Sequence, residues 1–141
     1  MKIKTIKSDL DIEACAPILG QLRPHLTKAK LLSQIKFQIK NFGYNLTFIV
    51  NEKNVKAVIG YRITYFLAWG KVLYIDDLIT DIHSKQKGFG GALLDWAFEE
   101  AKRQECDQVH LDSGYQRNDA HRLYLNKKML IGCHHFYKEI K

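Results

Sequence analysis

The chain has 141 residues, 46% of them hydrophobic and 26% charged, which supports one packed domain over residues 1–141 and argues against disorder. A formal net charge of +7 and a pI near 9.3 favour polyanionic partners, whether nucleic acid or a phosphate-bearing cofactor. No apolar run approaches the roughly 20 residues of a membrane span, and Met1-Lys2-Ile3-Lys4 opens without a signal-peptide apolar region, so no membrane partner and a cytoplasmic location are expected.

Residues 2–6 alternate lysine with isoleucine or threonine, as an edge strand does. Asp9 or Asp11 can cap a helix that runs to about Gly20 and carries Ile12, Ala16, Ile18 and Leu19. Pro24 breaks the chain. Thr27 can cap a second helix, with Leu32, Ile35, Ile39 and Phe42 at three- and four-residue steps and Gly43 as its left-handed end. The lysines on its other face read as a solvated surface. Strands follow at Asn45–Val50 and Lys56–Ala68, joined by a turn at Asn51–Asn54, and a third from Lys71 to about Thr80 completes a meander. A helix then spans about Gly88–Gln104, with Leu93, Leu94, Ala97, Phe98 and Ala101 on one face. Gln108–Asp112 reads as a short strand, Asp119–Lys128 as a helix and Cys133–Ile140 as a final strand. The strand–helix–strand crossovers imply an α/β domain with a mixed sheet.

The three cysteines, Cys15, Cys106 and Cys133, are scattered and odd in number, so reduced thiols are expected. The six histidines lack the spacing of a ligand set, and His134 and His135 would point to opposite faces of a strand; no metal site is expected.

Chemistry concentrates between Val72 and Leu94: a strand, a short basic loop, then glycines opening an amphipathic helix. Glycines there leave backbone N–H groups unshielded, the helix dipole is positive at that end, and Lys85 and Lys87 add full charges. That combination suits a phosphate or pyrophosphate; the alternative is a loop whose glycines only permit close packing. A P-loop needs Gly-Lys-Ser/Thr where Gly91-Ala92-Leu93 stands. A dinucleotide fingerprint needs a third glycine at position 93, and a tighter turn than the seven residues between Thr80 and Gly88.

Lys85-Gln86-Lys87-Gly88-Phe89-Gly90 resembles the Arg/Gln-x-x-Gly-x-Gly/Ala signature of the GNAT superfamily of N-acetyltransferases, with Lys85 in the first position. Arg117-Asn118-Asp119-Ala120-His121-Arg122-Leu123-Tyr124 is similar to a second family pattern, Asn-x-x-Ala-x-x-apolar-Tyr. There Ala120, Leu123 and Tyr124 match, Arg117 stands in place of Asn, and Lys128-Met129 replaces the usual Gly-Phe. The resemblance is sharpest from Leu73 to Tyr124. It implies the GNAT-like acyl-CoA N-acyltransferase fold, a central mixed, largely antiparallel sheet flanked by helices. It also implies acetyl-CoA as co-substrate, its pyrophosphate held by backbone N–H groups of Gln86, Lys87, Gly88, Phe89, Gly90 and Gly91 beside Lys85. Leu78, Ile79 and Thr80 would pair through their backbone with the pantetheine arm.

The resemblance further assigns Tyr124 as proton donor to the departing thiolate, against the plainer role of a packed tyrosine. Asp76 falls where some relatives place a base. Attraction of a cationic amine and local backbone capping are equal alternatives, and a strand bulge would change which way it points. Asp112 and Ser113 are weaker candidates for the acceptor cleft, and Cys133 lacks a neighbouring base to make it a nucleophile. Tyr61, Tyr65, Phe66 and Trp69 read first as packing residues and otherwise as the wall of an acceptor site or dimer interface. The expected activity is acetyl transfer to a primary amine of a small molecule in a ternary complex, with a homodimer possible. A protein or peptide amine acceptor, a basic nucleic-acid-binding domain and a non-catalytic coenzyme-A sensor are the competing readings. The scattered placement of the basic residues speaks against nucleic acid.

Overall fold

Strand β1 (Lys2–Thr5) opens the computed structural model, which describes residues 1–141 and divides into two units, Met1–His110 and Leu111–Lys141. In the first unit, helix α1 (Asp9–Leu22) begins after Ser8 and carries Pro17 inside it. Proline there removes one helical donor, and the helix nevertheless runs two residues past Gly20 because Ile12, Cys15, Ala16, Leu19 and Leu22 are buried together. It ends at Arg23, just before Pro24, where φ −120° and ψ 62° leave the helical region that a following proline disfavours.

Helix α2 (Lys28–Phe42) has the expected ends: the Thr27 hydroxyl accepts from Lys30 N at 3.2 Å, and Gly43 adopts φ 66°. Its buried stripe is Leu31 and Ile35, with Leu32 and Ile39 partly buried. Phe42 lies outside that stripe, exposed and 5.5 Å from the ring of Phe37.

Strands β2 (Asn45–Asn51), β3 (Asn54–Phe66) and β4 (Gly70–Thr80) follow, then a 3-10 turn (Ile82–Ser84), helix α3 (Phe89–Arg103) and β5 (Gln108–Leu111). The β2–β3 turn takes positive φ at Glu52 and Lys53, the two-residue geometry that matches strand twist. The five strands lie in the order β1-β2-β3-β4-β5, with the first three pairings antiparallel and the sheet mixed. Helix α3 is the crossover that brings β5 beside β4.

One sheet face packs Leu46, Phe48 and Val58 against α1 and α2. The other faces α3, where Tyr61 meets Trp96 at 5.6 Å between ring centres. Between the β3–β4 pairs Gly60–Asp77 and Tyr61–Ile75 the register slips by one, so Asp76 is the extra residue of a β-bulge.

The second unit contains helix α4 (Asn118–Asn126), which starts one residue before the expected Asp119 and ends two residues before Lys128. Lys128 takes φ 66°, the left-handed conformation a glycine adopts without strain. The expected strand at Cys133–Ile140 is absent; residues 129–141 form no helix or strand, and Phe136, Tyr137 and Ile140 are exposed. Alternate positions there mix cysteine, histidine, tyrosine and glutamate on one side with histidine, phenylalanine, lysine and isoleucine on the other. Neither set makes an apolar face for a sheet to bury.

Candidate active site

The segment leaving β4 is tied down before it reaches the glycines. The Gln21 amide grips it at two points, its Nε2 donating to Asp81 Oδ1 at 2.8 Å and its Oε1 accepting from Ile82 N at 2.9 Å. Asp81 N donates to Lys56 O at 2.8 Å, and Ser84, buried, donates through Oγ to Asp81 Oδ2 at 3.3 Å. The Gln21 hydrogen bond, ahead of the Ser84 one, holds the Asp81 carboxyl below its ordinary range.

Beyond this anchor Lys85, Gln86, Lys87 and Gly88 are exposed, while Phe89 is buried and fixes the first turn of α3. Gln86 at φ 64° and Gly88 at φ 82° turn successive amides out of line. Backbone N–H groups set in such a concave arrangement favour anions. The first α3 hydrogen bond is Ala92 N to Gly88 O at 3.0 Å, and the N–H groups of residues 85–91 donate to no backbone carbonyl. A side chain at Gly88 would meet nothing within 4 Å. Open space, outward amides, the positive helix end and two lysines fit a pyrophosphate.

Leu78, Ile79 and Thr80 stand at the end of β4 that leads into this loop, paired on one side with Ile59, Val58 and Ala57. On the other side β5 begins beside Lys71, where Asp107 N donates to Lys71 O at 2.7 Å, and it is four residues long. At about 3.3 Å per residue it runs beside the first part of β4 and stops short of residues 78–80. Their outer edge carries no strand of this sheet.

The bulge gathers residues from β3, from β4 and from the connections on either side of α2. Asp76 receives a two-point guanidinium fork from Arg62, Nε to Oδ2 at 2.7 Å and Nη2 to Oδ1 at 2.8 Å. Asp77, on the α1–α2 face, accepts from Arg23 Nε at 3.0 Å and from the Tyr44 hydroxyl at 2.6 Å. Arg23 Nη2 also donates to the carbonyl of Asp76 at 3.1 Å, which satisfies the backbone oxygen that the bulge exposes. Burial, and then the charge of Asp77, push Tyr44 well above the usual tyrosine range, so it stays a donor. Tyr44 lies against Gly60, where a Cβ would fall 2.8 Å from ring atom Cε1 and closer still to the hydroxyl. Glycine in this strand is therefore a space for the tyrosine.

Sequence reasoning named Asp76 and the possibility of a bulge, and it missed Gln21, Arg23, Tyr44, Gly60 and Arg62. A glycine inside a strand was the available signal for Gly60, and an arginine in an otherwise apolar strand was the signal for Arg62. Gln21, Arg23 and Tyr44 carry no local mark.

Tyr124, Asp112, Ser113 and Cys133 belong to the second unit. Tyr124 is half-buried on α4, and burial raises its hydroxyl pKa while Arg117 pulls it part of the way back. Asp112 pairs with His135 at 3.4 Å, Ser113 is half-buried and Cys133 is exposed.

The model of the acetyltransferase (GNAT) family matches residues 15–129, from within α1 to just past the end of α4. The chain belongs to that family. It is 32% identical over 111 residues to YhdJ, an uncharacterized N-acetyltransferase of Bacillus subtilis (strain 168), over 79% of this chain and 78% of that protein. A transcriptional regulator from Bacillus halodurans C-125 superposes with a TM-score of 0.86 over 99% of both chains at 20% identity. The aminoglycoside N-acetyltransferase AAC(6')-Iy, solved with CoA, superposes at 0.85 over 99% of this chain and 95% of its own, at 10% identity. Identities this low speak for the fold alone, and the fold is the one the two motifs implied. By family, this GNAT chain is an acetyl-CoA-dependent N-acetyltransferase. No helix is long and apolar enough to cross a membrane, and no group of three or more histidine, cysteine, aspartate or glutamate side chains is arranged to hold a metal ion.

Proposed function

We propose that this GNAT protein moves the acetyl group of acetyl-CoA directly to a primary amine of a small cytoplasmic molecule, with both substrates bound together. The observation that carries the reading is the row of outward backbone N–H groups at residues 85–91, opening α3 beside the uncovered edge of β4. Lys85, Lys87 and the amides of Gln86 to Gly91 hold the pyrophosphate, and Leu78, Ile79 and Thr80 pair with the pantetheine arm. Acetyl-CoA supplies an activated acyl carbon and a leaving thiolate with a pKa of roughly 8.5, so modest acid assistance suffices.

Tyr124 is assigned as that acid by its place in the motif, and its raised pKa keeps the proton available at neutral pH. As the C–N bond forms and the C–S bond breaks, the proton of Tyr124 goes to sulfur and that of the amine goes to water. Both oxygens of Asp76 are already engaged by Arg62, so Asp76 orients the acceptor side and is not the base. The single family match across both units supports one acetyltransferase domain over residues 1–141.

The test follows free thiol while the protein is incubated with acetyl-CoA and a panel of amines. Tyr124→Phe is expected to lower kcat about tenfold while leaving coenzyme affinity nearly unchanged. The kcat/KM should rise with pH along the ionisation of the acceptor amine, without an inflection from a protein base. Absence of thiol release with every amine, peptides included, overturns the reading.

A further inference from the structure

On the α1–α2 face of the sheet, the surface beyond the bulge is aromatic. The Arg62 guanidinium lies 5.4 Å from the centre of the Tyr74 ring, its cross-strand partner. Tyr74 continues to Phe66 at 6.4 Å, Phe66 to Trp69 at 4.9 Å, and Trp69 stacks on His110 at 3.9 Å. These rings are half-exposed, with Phe66 at 36%. The strip starts two residues from Asp76 and is continuous with the bulge through Arg62.

The charge along it is balanced. Around the bulge Arg62 answers Asp76 and Arg23 answers Asp77, so four ionised groups sum to zero. The far end carries one charge of each sign: Asp107 Oδ2 accepts from the backbone N–H of Lys71 at 2.9 Å, and the Lys71 ammonium donates to Gln104 O at 2.6 Å. A polycationic acceptor needs a surplus of carboxylates to compensate several ammonium groups as they lose water. This surface, in a chain of net charge +7, has none. Flat rings and a guanidinium in stacking position suit a planar apolar body instead.

We propose that this strip is the acceptor subsite and that the acceptor is a primary amine carrying an aromatic ring and no second cationic group. The inference rests on the acetyltransferase reading above. It is tested by kcat/KM for 2-phenylethylamine, n-butylamine, spermidine and neamine with the intact chain and saturating acetyl-CoA. The aromatic amine should exceed each of the other three about tenfold, since ring burial on a stacked surface has about that effect. Tyr74→Ala and Phe66→Ala should each draw the phenylethylamine-to-butylamine ratio toward one. Tyr74→Phe should retain it, and Phe37→Ala on the outer face of α2 should leave it alone.

A ratio within threefold of one, or a preference for spermidine or neamine, overturns the inference. So does a Phe66→Ala variant that turns a dimer into a monomer in sedimentation with the ratio intact, which would assign the strip to a second copy. A melting temperature raised by acetyl-CoA, with thiol released at equal rates with all four amines, counts against this inference alone. Loss of both the coenzyme shift and all thiol release counts against the parent reading.

Discussion

Replacing Gly60 by alanine places a methyl group where the Tyr44 ring and hydroxyl already sit, 2.8 Å from Cε1 and nearer to the outer atoms. Tyr44 is 4% exposed, so the ring has no solvent to swing into. If the core absorbs the overlap, overpacking costs about 1–3 kcal/mol. If the ring yields, the 2.6 Å hydrogen bond to Asp77 is lost, and a bond to a charged group is worth about 1.5–3 kcal/mol. Alanine returns about 0.5 kcal/mol as a better strand residue than glycine. The net expectation is a loss of about 1–2.5 kcal/mol, a large share of the roughly 5–15 kcal/mol of a typical domain. The decisive comparison is the same change in a Tyr44→Leu background, which lacks Cε1, Cζ and the hydroxyl. There Gly60→Ala should be neutral or stabilising by about 0.5 kcal/mol, so the sign of the effect reverses. Urea unfolding followed by fluorescence of Trp69 and Trp96 reads all four corners of the cycle. Equal cost of Gly60→Ala in both backgrounds would refute the claim that the glycine makes room for Tyr44.

Lys128→Gly should stabilise the chain by about 0.5–1 kcal/mol, because φ 66° strains lysine and not glycine; a thermal melt with no gain removes the argument. Tyr44 links stability to alkaline pH. Its folded pKa is raised above the unfolded value near 10, so its contribution is present below pH 10 and is lost as pH rises toward the folded pKa. The urea midpoint should therefore fall between pH 9 and pH 11 in the wild type and fall less in Tyr44→Phe; identical slopes would count against it. Lys85→Ala should raise the KM for acetyl-CoA about fivefold and flatten its dependence on salt, with kcat little changed. An unchanged KM would take Lys85 out of the pyrophosphate site.

The parts of this molecule that were legible in the sequence are those whose cause lies within a few residues. Both ends of α2 could be placed because Thr27 and Gly43 act locally, one through a hydroxyl and the other through a left-handed backbone. The strand expected at Cys133–Ile140 is absent because alternation there separates no apolar face. Pro17 sits inside α1, where burial of its neighbours outweighs the donor it removes.

The same division runs through the site. The pyrophosphate cradle is a contiguous run, Lys85 to Gly91, whose property is that its amides are left unpaired by the start of a helix. Any chain that needs this cradle must write it in one place, and it can be read there. The bulge is assembled from residues 14 to 54 positions apart, Arg62 to Asp76 at one extreme and Arg23 to Asp77 at the other. No window of sequence contains both Tyr44 and the glycine that admits it, so their relation appears only when the strands are in register. Because the cradle depends on backbone groups and the bulge on side chains from two strands and two connections, substitutions alter the second without disturbing the first. A fold built this way keeps its coenzyme while its acceptor side varies, so the acceptor has to be sought in the side chains around Asp76.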